Sequence, residues 1–325
     1  MSLASQRITA VPFFMTQISA ATHLCIEGSG PPLLLVHGGP GLSADCLRPV
    51  VDLLRDHYRV ILYDQPRKHH FLGTTTGSCI QAFVEQIEGI RLNVGEERFV
   101  LLGHSWGAGL AALYAEAFQD RVAALILAHP MEISSVYLAS TTRSLEMRRP
   151  EKDRRRMRGI ENELSRLPFH DFRRNELELE QMMMDFRLSC ADAPAGHVLE
   201  SLNLCYYDWE MSERVWRDLE NQWPSLVRKG YDLCPVFSRI ATPAQILMGE
   251  HDTIDTRSTF QMAQLLNAQL VRLNKSGHWS FLEQPEEFKN VLNAFLEPFK
   301  DNDTPHWKLP SQRRVPLKAV AAGVI

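Results

Sequence analysis

The sequence has no apolar run near the roughly 18 residues that a membrane-spanning helix requires. Its first twenty residues hold only one short apolar patch, Val11 to Met15, which Pro12 interrupts and which is too short for the core of a signal peptide. A surplus of positive charge is also missing: 35 Lys and Arg stand against 39 Asp and Glu, a formal net charge of −4 with a pI near 6.3. That balance does not attract polyanions, so neither nucleic acid nor an anionic membrane is the expected partner, and a small molecule or short peptide fits better. Cysteine pairs are absent as well. Cys25, Cys46, Cys79, Cys190, Cys205 and Cys234 are scattered, with no C-x-x-C motif and no histidine cluster at zinc-ligand spacing. They read as reduced packing residues. The expectation is a soluble, cytoplasmic protein that needs no cofactor and no metal, and no internal repeat is visible.

What is present is a globular composition, 45% hydrophobic and 23% charged over 325 residues, enough for one large domain or two small ones. Through residue 130, β-type runs alternate with amphipathic ones: PLLLVHG (32–38), YRVILYDQ (58–65), RFVLLGHS (98–105) and VAALILAHP (122–130), with helices expected near 44–57, 79–93 and 106–118. The β-type runs are continuously apolar, as strands covered on both faces should be. From about Met131 the strand signal lapses into polar and Met-rich helical text such as RNELELEQMMMDF. The β/α rhythm returns with AQILMGEHD (244–252), a helix near 257–267, AQLVRLN (268–274) and a helix near 285–298. The pattern predicts an α/β fold, a mostly parallel doubly wound sheet with an inserted helical cap. Its parts are a core over 1–130 and 232–300, a cap over 131–231, and a loosely attached tail over 301–325 that contains three prolines.

One constellation carries chemistry. Gly103, His104, Ser105, Trp106 and Gly107 form G-x-S-x-G between an expected strand and an expected helix. In such a turn serine takes a strained backbone conformation, the glycines let helix and strand approach, and the helix N-terminus favours developing negative charge. Serine at its free pKa is a poor nucleophile, so a base and an orienting acid must follow in the order Ser, Asp or Glu, His. Asp252 lies just beyond the strand 244–249 and His278 just beyond 268–274, and the carboxyl edge of a parallel sheet is where such groups collect. His278 is thus the candidate base and Asp252 the candidate acid, with Asp255 and Glu132 as alternatives. The glycine-rich LVHGGPG (36–41) follows a strand and can turn backbone N–H groups inward. The expected oxyanion donors are Trp106 and Gly39, with Gly38 as alternate.

The motifs HGGPG, YDQ, GHSWG, GEHD and SGHWSFLEQPEEF, taken together, resemble the proline iminopeptidase branch of the α/β-hydrolase superfamily over about 25–130 and 240–298. The resemblance implies the α/β-hydrolase fold, Ser105 as nucleophile, Asp252 as acid, His278 as base, Gly39 with Trp106 as oxyanion donors, and a cap over the site. Aminopeptidases of that branch recognise a free amino group with cap carboxylates, for which Asp208 and Glu210 are the candidates. Trp209 and its aromatic and Met neighbours could line an apolar pocket. The sequence departs from the branch after Gln65, where Pro66, Arg67, Lys68, His69 and His70 stand in place of small residues, so that loop should follow another path. His69 and His70 lack a nearby acidic pair and read as solvated rather than metal-bound. The stretch MRRPEKDRRRMRG (147–159) reads as an exposed arginine-rich helix face.

The functional expectation is a serine hydrolase acting through an acyl-enzyme, aminopeptidase-like on a small peptide or amide. The alternatives are an ester, thioester or lactone hydrolase or acyltransferase of secondary metabolism, and a hydrolase fold that only binds a ligand.

Overall fold

The computed structural model describes residues 23–67, 78–169, 171–191 and 207–300. Lys68, His69, His70, Cys205 and the 301–325 tail lie outside the described residues. Seven strands form one sheet: β1 (Leu24–Glu27), β2 (Pro32–Val36), β3 (Arg59–Tyr63), β4 (Phe99–His104), β5 (Val122–Ala128), β6 (Ala244–Gly249) and β7 (Gln269–Leu273). Their order is β1-β3-β2-β4-β5-β6-β7, with β1 antiparallel to β3 and all other pairs parallel. The chain leaves β2 toward one edge and comes back to pair β4 on its other side, so the order reverses between β2 and β4. Crevices at such switch points, beyond the strand carboxyl ends, are where ligands bind.

Alternation along each strand splits the core in two. Leu34, Val36, Ile61, Tyr63 and Leu101 face α2 (Cys79–Asn93) and α3 (Trp106–Ala117). Leu33, Leu35, Val60, Leu62 and Leu102 face the opposite layer with α1 (Arg48–Leu54). Helix α3 is almost wholly buried, because its residues WGAGLAALYAEA are small or apolar all round.

Between β5 and β6 the described chain is helical: α4 (Leu138–Arg148), α5 (Glu151–Leu164), α6 (Phe172–Leu188), α7 (Trp209–Gln222) and the single turn α8 (Cys234–Phe237). Then follow α9 (Thr256–Leu266), the turn α10 (Ser280–Glu283) and α11 (Pro285–Leu296). The inserted helices are tied to the core by a side chain on α7. The Asp218 carboxylate accepts from Ser78 Oγ at 2.7 Å and from Ile80 N at 3.2 Å, at the amino end of α2. In the arginine-rich stretch Arg155, Arg156 and Arg158 are exposed on α5, where Arg156 pairs with Glu180 of α6 at 2.5 Å. Arg149, before the helix, is buried and pairs with Glu146 at 2.5 Å and with Asp185, against the expectation of a wholly exposed face. All described cysteines are free thiols. No helix among the described residues is long and apolar enough to cross a membrane.

Two local expectations are corrected, and one strand is added. The helix expected over 44–57 is a 3-10 turn, Ala44–Leu47, followed by α1: Leu47 leaves the helical region at φ −103° and ψ 8°, and Pro49, which has no N–H to donate to a preceding turn, stands in the first turn of the new helix. Strand β1, LCIE, is only four residues long and owes its place to its pairing with β3, so it is not read from sequence. The run 122–130 stops pairing at Ala128, since His129 turns to φ 47°.

The helix-to-sheet contact at α3 generates a test. A Cβ on Gly107 would lie 2.1 Å from the Val36 carbonyl oxygen, whereas one on Gly159 in α5 would meet nothing closer than 3.9 Å. In urea unfolding, Gly107→Ala is expected to lose at least about 2 kcal/mol, and Gly159→Ala to gain about 0.5–1 kcal/mol. Equal effects would contradict this packing.

Candidate active site

The site is built at the carboxyl ends of β2, β4, β5, β6 and β7. Ser105 follows β4 with φ 55° and ψ −122°, a region that costs a non-glycine residue about 1–3 kcal/mol. Its neighbours hold it there. Ser105 N donates to Ala128 O at 3.0 Å, and its own carbonyl accepts from Ala108 N at 3.0 Å and Met131 N at 3.2 Å. A Cβ on Gly103 would lie 2.3 Å from Gly107 O, so both motif glycines are demanded by backbone approach rather than by flexibility.

The glycine loop after β2 packs on this turn. Gly38 sits so close that a Cβ there would be 3.0 Å from Ser105 Cβ, and Gly39 takes φ 50° with its carbonyl accepting from Leu42 N at 2.9 Å. Trp106 is the first residue of α3, so its N–H is one that a helix leaves without an intrahelical acceptor. Gln65 locks the two turns together. Its side chain donates to His37 O at 2.7 Å and accepts from Trp106 Nε1 at 2.9 Å, and its backbone N–H donates to His37 Nε2 at 3.1 Å.

Beyond β6 and β7, Asp252 and His278 meet. His278 Nδ1 lies 3.1 Å from both Asp252 oxygens, and Ile254 N donates to Oδ1 at 3.1 Å. Burial alone would raise the Asp252 pKa. The charge of His278 and the bonds from His129 and His278 outweigh it and hold the carboxyl far below the usual range. Burial likewise opposes protonation of His278, but the Asp252 charge and hydrogen bond leave its pKa above the ordinary imidazole value. The His278 ring lies 4.9 Å from that of His104, the residue before Ser105, and His104 Nε2 donates to His278 O at 2.9 Å. The residue before Ser105 thus packs against His278.

Of the alternative acids, Asp255 is engaged elsewhere and Glu132 has no ion pair among the described residues. Asp255 caps α9 and pairs with Arg257 at 2.5 Å, while Glu132 is buried with its Oε1 unpartnered and its pKa raised by burial. In the inserted helices Asp208 is buried and caps α7, its Oδ1 accepting from Met211 N at 3.1 Å and its own N–H donating to Gly41 O at 2.8 Å. Trp209 is buried too, packed edge-on against Phe169 at 4.7 Å with Arg174 over its ring at 5.0 Å. Glu210 stands in the first turn of α7. Of the loop after Gln65 only Pro66 and Arg67 are described, with Arg67 3.8 Å from Asp64.

Sequence reading missed His129. Just past β5, its Nδ1 lies 3.1 Å from Asp252 Oδ2 and its Nε2 lies 2.6 Å from Ser280 Oγ. The available signal was a histidine at the carboxyl end of a fully buried parallel strand. His129, Asp252 and His278 each offer a ligand atom within 4.8 Å of the others, so the trio has the donor types of a metal site. The short contacts are equally satisfied as hydrogen bonds to one carboxylate.

Comparison with known proteins fits this geometry. Residues 31–285 match the family model described as alpha/beta hydrolase fold. The chain is 26% identical over 287 residues to a proline iminopeptidase of Saccharolobus solfataricus, covering 84% of this chain and 86% of that one. Among solved structures it resembles VinJ (TM-score 0.64, 20% identity, 85% of this chain and 94% of that chain). It also resembles the proline iminopeptidase of Mycobacterium smegmatis (TM-score 0.61, 19% identity, 85% and 94%).

The buried imidazoles make stability depend on pH. Burial pushes His37, His104 and His129 below the ordinary value. Below about pH 6.5 the unfolded chain therefore binds protons that the folded chain refuses, and stability is lost as pH falls. His278 acts oppositely, its contribution being present below about pH 6.5 and lost as pH rises through its raised value, but three groups outweigh one. Asp252 adds stability present above about pH 3.9 and lost below it. Urea unfolding is expected to show about 1–3 kcal/mol less stability at pH 5 than at pH 7; a flat profile, or one rising toward pH 5, would contradict this.

Proposed function

The chain belongs to the alpha/beta hydrolase fold family, and from that premise we propose that it is a serine hydrolase working through an acyl-enzyme, with Ser105 as nucleophile, His278 as base and Asp252 as the orienting acid. The observation that carries the reading is His278 Nδ1 placed 3.1 Å from both oxygens of a buried Asp252, with its ring 4.9 Å from that of His104, the residue before the strained Ser105 turn. With Nδ1–H given to Asp252, the ring leaves Nε2 bare to accept the Ser105 proton. Oγ then bonds to the substrate carbonyl carbon, and charge moves onto the carbonyl oxygen, which the N–H groups of Trp106 and Gly39 receive. The carbonyl re-forms, the bond to the leaving group breaks, and His278 returns its proton to that group. Water attacks the acyl-enzyme by the same route in reverse. Asp252 stays ionised and stabilises the imidazolium.

The substrate class read first is a small peptide or amide with a free amino end, supported by the likeness to proline iminopeptidases. The helices over 131–231 act in this reading as a cap, supported by their contacts with Gly41 and, through Ser189, with His278 N at 2.8 Å. One observation favours a second reading, an ester, thioester or lactone: Asp208 already caps a helix with Oδ1, and its neighbour Trp209 is packed apolar surface. Glu210 remains the carboxylate candidate for an amino group.

Ser105→Ala is expected to lower turnover on the order of 10⁴-fold and to abolish labelling by a fluorophosphonate probe. Turnover near the parent level in that variant would sink the mechanism. A parallel assay of prolyl and other aminoacyl arylamides, short and long aryl esters and a lactone decides the bond; ester turnover without any arylamide cleavage removes the peptidase reading. Failure of the folded parent protein to label at Ser105 favours a binding role.

A further inference from the structure

Asp252 serves two imidazoles, not one. His129 Nδ1 is 3.1 Å from Oδ2, and since a carboxylate only accepts, that nitrogen carries the proton. In a neutral ring Nε2 is then bare, and Ser280 Oγ at 2.6 Å must be its donor. The hydrogen bonds run one way: Ser280 O–H to His129, His129 N–H to Asp252, and His278 N–H to Asp252. Ser280 is fully buried and His129 is 1% exposed, so no water competes for these bonds. Burial also keeps the His129 ring neutral, by lowering its affinity for a second proton.

We propose that His129 is a positioning residue for the reaction, a fixed neutral donor that sets the orientation of the Asp252 carboxylate and withdraws part of its charge from His278. This rests on the serine-hydrolase reading above. With Ile254 N–H fixing Oδ1 and His129 fixing Oδ2, both oxygens stand equidistant from His278 Nδ1. The backbone of His129 serves the same end. Its φ of 47° turns the chain out of β5 so that the ring points at the loop after β6. A donor on Asp252 also weakens the pull of the carboxylate on the His278 proton, which brings the base nearer to neutral pH, where it must be unprotonated to work. The other titratable groups whose charge acts on this pair are His104, Glu132 and Glu283, and the substitutions below leave them in place.

The test follows the second-order rate of fluorophosphonate labelling of Ser105 against pH, a readout that needs no natural substrate and whose acid limb reports His278. His129→Ala removes the donor. His129→Asn restores an N–H near the Nδ1 position, and asparagine tolerates a left-handed backbone. In His129→Ala the acid limb is expected to move up by about half a pH unit and the plateau rate to fall about tenfold; in His129→Asn the limb should stay with the parent. If His129→Ala shows no cooperative unfolding transition, His129→Gln replaces it, because its amide sits one bond farther out and misses Asp252. A limb in the donor-less variant that coincides with the parent or moves down, or a shift of equal size in His129→Asn, overturns the proposal even where the rate falls, since a purely structural role lowers rate without moving the limb. Ser105→Ala run alongside keeps the two readings apart: if it still labels, the serine-hydrolase reading fails, and if it does not label while the limb is unmoved, only the role of His129 fails.

Discussion

The site depends on the closeness with which α3 approaches the ends of β2 and β4. There is no room for a side chain at Gly107 above the Val36 and His37 carbonyls, or at Gly103 beneath Gly107 and Ala108. That approach forces Ser105 into its unusual backbone conformation, directs the first turn of α3 at the switch point, and brings the glycine loop after β2 against the serine. The cost of holding one residue in a sparsely populated region is about 1–3 kcal/mol. It is offset locally, because the Ser105 peptide groups bond to Ala128, Ala108 and Met131.

Around this turn the protein buries an unusual density of titratable groups. His37, His104, His129 and His278 all lie within one region of the interior, and each has a defined partner on at least one ring nitrogen. Three of these rings are held neutral by desolvation, and the fourth is biased toward its cation by Asp252. One carboxylate thus sets apart the proton affinity of one imidazole from that of its neighbours. The neutral rings act as shaped hydrogen-bonding elements: His37 accepts from the Gln65 backbone while His104 donates to the His278 carbonyl.

Most of this fold was legible because parallel strands buried on both faces are written as unbroken apolar runs, and PLLLV, FVLLGH, VAALILA and AQILMG are such runs. Ser105, Asp252 and His278 were legible because each stands just past a strand, where chain order and sheet geometry limit the choices. β1 was not, since a four-residue edge strand is specified by its pairing with β3 and hardly by its own composition. His129 was legible only as a histidine just past a buried strand; its bond to a carboxylate 123 positions away is set by the fold and leaves no mark in AHPME. The bond of Asp208 to Gly41 is likewise long-range, and only the folded chain shows that this acid holds a helix start against the glycine loop.

The end of α6 deserves a last look for what it implies about inheritance. Ser189 O accepts from His278 N at 2.8 Å, Ser189 Oγ accepts from Trp279 Nε1 at 3.1 Å, and Gly277 has no Cβ to obstruct the backbone at Ser189. The inserted helices are therefore not an accessory that could be traded freely for those of a relative. A transplanted insertion would have to bring a backbone carbonyl to the same point beside the loop of His278, and a side chain at position 277 would keep that carbonyl away. The demand falls on position 277 rather than on the side chain at 189: any residue at 189 carries the carbonyl, but only glycine at 277 lets it come so near.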